Sequence, residues 1–162
     1  MVFGCGPTSA ELALVVESPS RVDDRKGLPL GGRRQKLLRQ VLSLLGRRRP
    51  EVFITSLVKC RPADEMGRAP ASALRACAPL WREQLALLKP RVVLAFGQAA
   101  ATELTGDPND IELTRGCLYT LADGTRVVPT FSLREALDEP SLRAALWEDC
   151  RRVRELLHPH MT

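Results

Sequence analysis

The stretch Val52-Phe-Ile-Thr-Ser-Leu-Val58, running directly into Lys59-Cys-Arg-Pro62, decides the architecture. It is rich in β-branched and aromatic residues, carries no charge before Lys59, and is bounded by Pro50 on one side and Arg61-Pro62 on the other, so it reads as a buried strand. Working outward, residues 11–16 (Glu-Leu-Ala-Leu-Val-Val) form a second run of this kind, ending at the polar loop Glu17-Ser-Pro-Ser20. Residues 92–96 and 127–131 supply a third and a fourth. Runs that are apolar at nearly every position, rather than at every second one, belong to parallel strands covered on both faces. Between them lie helical patterns: residues 33–45, with Leu37, Leu38, Val41, Leu44 and Leu45 on one stripe, and residues 71–88, with Leu74, Cys77, Trp81, Leu85 and Leu88, in which Pro79 is a candidate kink. A last helix starts near Pro140-Ser141 and runs through Leu146, Trp147, Cys150 and Val153 towards Leu157. This alternation predicts an α/β fold, a three-layer α/β/α sandwich around a central four-stranded parallel sheet.

Composition agrees with one domain spanning residues 1–162, a length that buries most of its apolar surface around a single core. The net charge of +5, carried mainly by arginine, suits a partner rich in phosphate or carboxylate, and equally a basic soluble enzyme. No apolar run is long enough to cross a bilayer and no secretory signal opens the chain, so a cytoplasmic protein with no membrane partner is expected. The five scattered cysteines argue for reduced thiols or metal ligands over a disulfide framework. Both histidines sit in His158-Pro-His160, a tail expected to fray, so none lies where it could serve as acid, base or electrophile inside the fold. Arg47-Arg-Arg49 reads as a solvated helix cap. The phosphate loop, dinucleotide fingerprint and zinc-protease motif are all missing.

Ligands of such sheets sit at the carboxyl ends of the strands, which directs attention to the loops beginning at Glu17, Lys59 and Ser132. Four ordered segments there and nearby resemble the family-four, iron-sulfur type of the uracil-DNA glycosylase superfamily. Val2-Phe-Gly-Cys-Gly-Pro7 and Val16-Glu-Ser-Pro-Ser20 are similar to the family's lead-in and its Gly-Glu-Ala-Pro-Gly pocket loop. Asp23-Asp-Arg-Lys-Gly-Leu-Pro-Leu-Gly-Gly32 parallels Glu-Asp-x-x-Gly-x-Pro-Phe-Val-Gly. Val52 to Pro62 resembles Tyr-Ile-Thr-Asn-Val-Val-Lys-Cys-Arg-Pro, the most specific of the four. Residues 88–100, Arg115-Gly116, residues 128–131 and Trp147-Glu-Asp149 complete the order.

The resemblance implies a site, and at this site the sequence departs from the family. Excision of uracil requires a flipped base to be stacked, read along its edge and released as a stabilised anion. The stacking phenylalanine corresponds to Leu30, the edge-reading asparagine to Ser56, and the histidine that stabilises the departing base to Ser132. A serine hydroxyl does not reproduce the planar donor and acceptor of an amide. Glu17 remains as the family's pocket acid, followed by Ser18, where the family has a smaller residue. Arg33, Arg34, Lys36, Lys59, Arg61 and Arg134 are expected around the mouth as phosphate contacts, with Arg134 near the loop that wedges into DNA in the family. Cys60 and Cys77 match two of the four thiolates that hold the family's 4Fe-4S cluster. Cys5 lies downstream of the place of the missing Cys-x-x-Cys pair. Either that pair precedes Met1, or the cluster has been lost and the chain as given has no cofactor.

Three functions follow as expectations: a glycosylase of altered or impaired activity on single-stranded or damaged DNA; a non-catalytic binding subunit for a replication or repair protein, resembling the clamp-loader ψ subunit; and a plain DNA binder.

Overall fold

The structure, a computed structural model, describes residues 1–159, so His160 of the expected tail lies outside the described residues. The expected runs become β1 (Leu12–Val16), β2 (Phe53–Ser56), β3 (Val92–Phe96) and β5 (Arg126–Thr130). These four pair in parallel in the order β2-β1-β3-β5, with Leu14 opposite both Ile54 and Leu94, and Leu94 opposite Val128. A fifth strand, β4 (Tyr119–Thr120), adds an antiparallel edge beside β5, where Tyr119 faces Val127. The sheet is thus five-stranded rather than four-stranded, since a two-residue strand carries no periodicity that a sequence can reveal.

Successive residues of β1 serve opposite faces, which makes the three layers. Leu12, Leu14 and Val16 pack with α2 (Arg34–Leu45), α6 (Leu133–Asp138) and α7 (Arg143–Leu157). Ala13 and Val15 pack with α3 (Ala71–Leu88) and α4 (Gln98–Thr105). Both sides of the strand are dry, which is why no polar residue interrupts it. α3 runs through Pro79. The remaining helices, α1 (Arg21–Lys26) and α5 (Ile111–Thr114), are short and lie in the connections.

β2 is an edge strand, and residues 2–6 cover its open side. Cys5 and Ile54 exchange two backbone hydrogen bonds, N–H to O=C, at 2.9 and 2.8 Å, and the Val2 amide donates to the Lys59 carbonyl. The strap lies flat because it carries glycine: a Cβ on Gly6 would sit 2.3 Å from the Val52 carbonyl oxygen. On the other flank, Arg115 in the connection to β4 makes a two-point ion pair with the buried Asp149 of α7, and Thr130 donates to the same carboxylate at 2.7 Å. No helix among the described residues is long and apolar enough to cross a membrane.

Candidate functional site

The loops leaving β1, β2 and β5 converge on one cavity of about 490 Å³ at the carboxyl end of the sheet. Val16 and Phe96 form its apolar floor, and Glu17, Ser18, Arg61 and Ser132 its polar wall. Two helix starts shape it. Ser20 caps α1 by accepting from the Asp23 amide while Asp23 accepts from the Ser20 amide, and Ser132 and Glu135 do the same for α6.

Asp23 also holds the first loop to the second wall. Fully buried, its carboxylate accepts from the amides of Ser20 and Gly31 and pairs with the guanidinium of Arg34, which also donates to the Ser18 carbonyl at 3.4 Å. A buried carboxylate survives only with such a complete set of donors. Burial lowers the pKa of Arg34, against the opposing pull of Asp23. Arg34 therefore fastens one wall of the cavity, and its guanidinium is already committed.

Glu17 lies half-buried in the wall and accepts a hydrogen bond from the Ala69 amide at 2.7 Å. Burial raises its pKa above the ordinary carboxylate value, the Ala69 amide works against that rise, and nearby Glu135 reinforces it. A carboxyl group held in this way is a proton carrier closer to neutrality than an exposed glutamate. Ser18 donates from its hydroxyl to the Gly67 carbonyl at 2.6 Å.

The basic residues divide. Arg33 is 82% exposed at the rim, 4.0 Å from Asp138. Arg61 lines the cavity and, among the described residues, makes no hydrogen bond or ion pair. Arg134 donates to the Glu65 carbonyl at 2.9 Å and stands 4.0 Å from Asp138. Lys59 is not at the mouth: it is 1% exposed, and its ammonium donates to the Thr55 hydroxyl, the Ser56 carbonyl and the Gln84 side-chain oxygen at 2.7–2.9 Å. Burial pushes its pKa down to about 8, partly countered by negative charge on the nearby Cys77 sulfur. It ties β2 to α3, so it is a structural cation and not a phosphate contact.

Leu30 and Ser56 also lie outside the cavity lining. Leu30 has a left-handed backbone (φ 56°) and is completely buried in the core cluster that also holds Leu37 and Ile54. Ser56 is buried at the end of β2 and spends its hydroxyl on the Val58 carbonyl at 2.7 Å. Ser132 does line the cavity, with its hydroxyl accepting from the Glu135 amide at 3.1 Å. Cys60 is exposed and Cys77 half-buried. A four-iron cluster needs four thiolates, and among the described residues no three Cys, His, Asp or Glu side chains gather as ligands, so these residues alone do not fit that group.

Several contributors carry no motif. Residues 65–68 line the cavity, with Arg68 close enough to act on Glu17. The Ser-x-x-Asp and Ser-x-x-Glu boxes at Ser20 and Ser132 are the sequence signals that mark the helix starts shaping the walls.

An α/β/α sandwich with an arginine-rimmed cavity at its parallel strand ends, and a half-buried glutamate on the first loop, belongs to the class of α/β domains that carry a ligand-sized cavity at their strand ends. The chain belongs to the Uracil DNA glycosylase superfamily, whose family profile matches residues 3–152. It is similar to the Type-4 uracil-DNA glycosylases of Saccharolobus solfataricus (34% identical, covering 96% of this chain and 76% of the relative) and Sulfurisphaera tokodaii (33%, 96% and 74%). The Type-4 uracil-DNA glycosylase of Thermotoga maritima is 31% identical, over 97% of this chain and 83% of its own length.

Proposed function

We propose that this protein is a DNA-repair member of its superfamily that takes up DNA at the arginine-rimmed cavity but excises uracil poorly or not at all. The observation that carries this reading is the commitment of three side chains elsewhere. Leu30 fills the core, the Ser56 hydroxyl serves the Val58 carbonyl, and the Ser132 hydroxyl caps α6. These are the positions at which family resemblance implies stacking, edge reading and stabilisation of the departing base. Loss of each donor to a developing anion costs about 10²–10³ in rate, so two lost donors, acting independently, remove about 10⁴–10⁶. Glu17 remains available as a proton carrier or as an electrostatic partner for a cationic sugar. DNA as the ligand is supported by the names of the relatives, by the charge of +5 and by the rim cations Arg33, Arg61 and Arg134.

The test is single-turnover base release from single-stranded oligonucleotides containing uracil or hypoxanthine, with protein in excess and the Thermotoga relative alongside. Uracil release slower by at least about 10⁴-fold is expected, and a rate within about tenfold of the relative would overturn the reading. Ser56→Asn with Ser132→His is the informative restoration. Leu30→Phe would press a larger ring into a filled core, which costs about 1–3 kcal/mol without bringing an aromatic ring to the cavity.

A further inference from the structure

Residues 65–68 line the cavity, and polar contacts tie the segment 64–69 to the loop after β1 and to α6. The Ala69 amide donates to Glu17 at 2.7 Å, the Ser18 hydroxyl donates to the Gly67 carbonyl at 2.6 Å, and Arg134 donates to the Glu65 carbonyl at 2.9 Å. The first two anchors stand on the loop after β1 and the third on α6, so the strap closes the gap between the two sides. It is also a small unit in itself. The Gly67 amide closes a turn on the Asp64 carbonyl, and the Asp64 carboxylate accepts from the Met66 amide and from Arg68. Met66, its one large apolar side chain, is exposed instead of being packed into the core. A segment with internal bonds, polar anchors and little apolar burial belongs to the easily opened part of a protein.

We propose that residues 64–69 are a gate over the cavity and that Arg134 is its ligand-sensitive latch, released when a backbone phosphate of a single DNA strand takes the guanidinium from the Glu65 carbonyl. The chemistry favours the exchange, because a charge-assisted bond to phosphate is stronger than a bond to a neutral carbonyl. The competing carboxylate, Asp138, stands at 4.0 Å and does not hold the guanidinium closely. Opening also frees the Glu17 carboxylate from the Ala69 amide and the Ser18 hydroxyl from the Gly67 carbonyl, so both reach an occupant only after the latch has been drawn.

This inference rests on DNA being the ligand, and the experiment separates the two. Amide-resolved hydrogen exchange is measured with and without a short single-stranded oligonucleotide, whose binding is followed independently by fluorescence anisotropy. Exchange at Ala69 is expected to rise by about tenfold or more on binding, while the Gly67 amide, bonded within the strap, stays protected. Binding with unchanged or slower exchange at Ala69 overturns the gate and leaves the DNA reading intact, whereas absence of binding removes both. Gly67→Ala supplies the second arm. At φ 71° its added Cβ would stand 3.0 Å from the Arg134 guanidinium, so the variant should show fast Ala69 exchange before any oligonucleotide is added. Wild-type protection of Ala69 in that variant would also overturn the latch.

Discussion

At the level of single residues, the proposed chemistry of this protein turns on Glu17. Burial raises its pKa and the Ala69 amide opposes the rise, so the group carries its proton further towards neutrality than the same residue in an unfolded chain. The sign of the linkage follows. Stability contributed by this group is fully present below the unfolded value of 4.5 and is lost as pH climbs through the raised folded value. Glu17→Gln keeps an acceptor for the Ala69 amide and removes the buried charge. The variant should melt at or above the wild-type temperature at neutral pH, with the advantage shrinking as pH falls towards 4.5, as followed by thermal denaturation across that range. Any residual base release should fall by about 10²–10⁴-fold, the usual contribution of a positioned proton carrier. A variant that melts below wild type at neutral pH would show that the contacts of the carboxylate outweigh its desolvation. Lys59 shows how residue type misleads without its surroundings. A lysine following a strand looks like a phosphate contact, but the oxygens of Thr55, Ser56 and Gln84 draw its ammonium inward. Leu30 makes the same point, since it sits at a left-handed backbone position and is wholly buried in the core instead of lining the cavity.

At the level of elements, the strap on β2 depends on glycine. Gly6→Ala places a methyl group 2.3 Å from the Val52 carbonyl oxygen, and backbone cannot yield as a flexible side chain would. The strap must lift, opening the reciprocal bonds between Cys5 and Ile54. The expected result is a loss of about 1–3 kcal/mol in chemical denaturation, with faster hydrogen exchange at the Ile54 amide. Unchanged exchange there would refute the role given to the strap. The long elements were legible because each repeats one signal many times. Residues 71–88 were expected to be helical and α3 spans Ala71–Leu88, and the four parallel strands fall within a few residues of the apolar runs that announced them. The short ones were not. α4 and α5 are held by packing and by the Gln98 bridge to the Ile111 amide, and the two residues of β4 by pairing alone. The α6 start does carry a local signal, the Ser132-x-x-Glu135 capping box, at the same position that the family resemblance assigns to a replaced histidine.

At the level of the whole molecule, the position of the cavity was legible and the segment tied beside it was not. Parallel strands direct ligands to their carboxyl ends whatever the loops contain. The strap over the cavity instead rests on bonds such as Ala69 to Glu17, between residues far apart in sequence. The charge distribution makes its own prediction. With Arg33, Arg61, Arg68 and Arg134 around the cavity, binding of single-stranded DNA through about four phosphates should weaken by roughly 50-fold between 50 and 200 mM salt. Affinity flat across that range, measured by anisotropy titration, would exclude phosphate contacts as the source of binding. The order of the sheet carries a last consequence, for the chain as it is made. β1 is synthesised early but pairs with β2 on one side and β3 on the other, Leu12 lying opposite Val92. Until residue 96 has left the ribosome, an entirely apolar strand waits with one flank unmatched, and β5, which leads to Ser132 in the cavity wall, emerges later still. Assembly of the parallel sheet therefore waits on segments made well after β1, and the nascent chain passes through a period in which this apolar strand is exposed and in need of a chaperone.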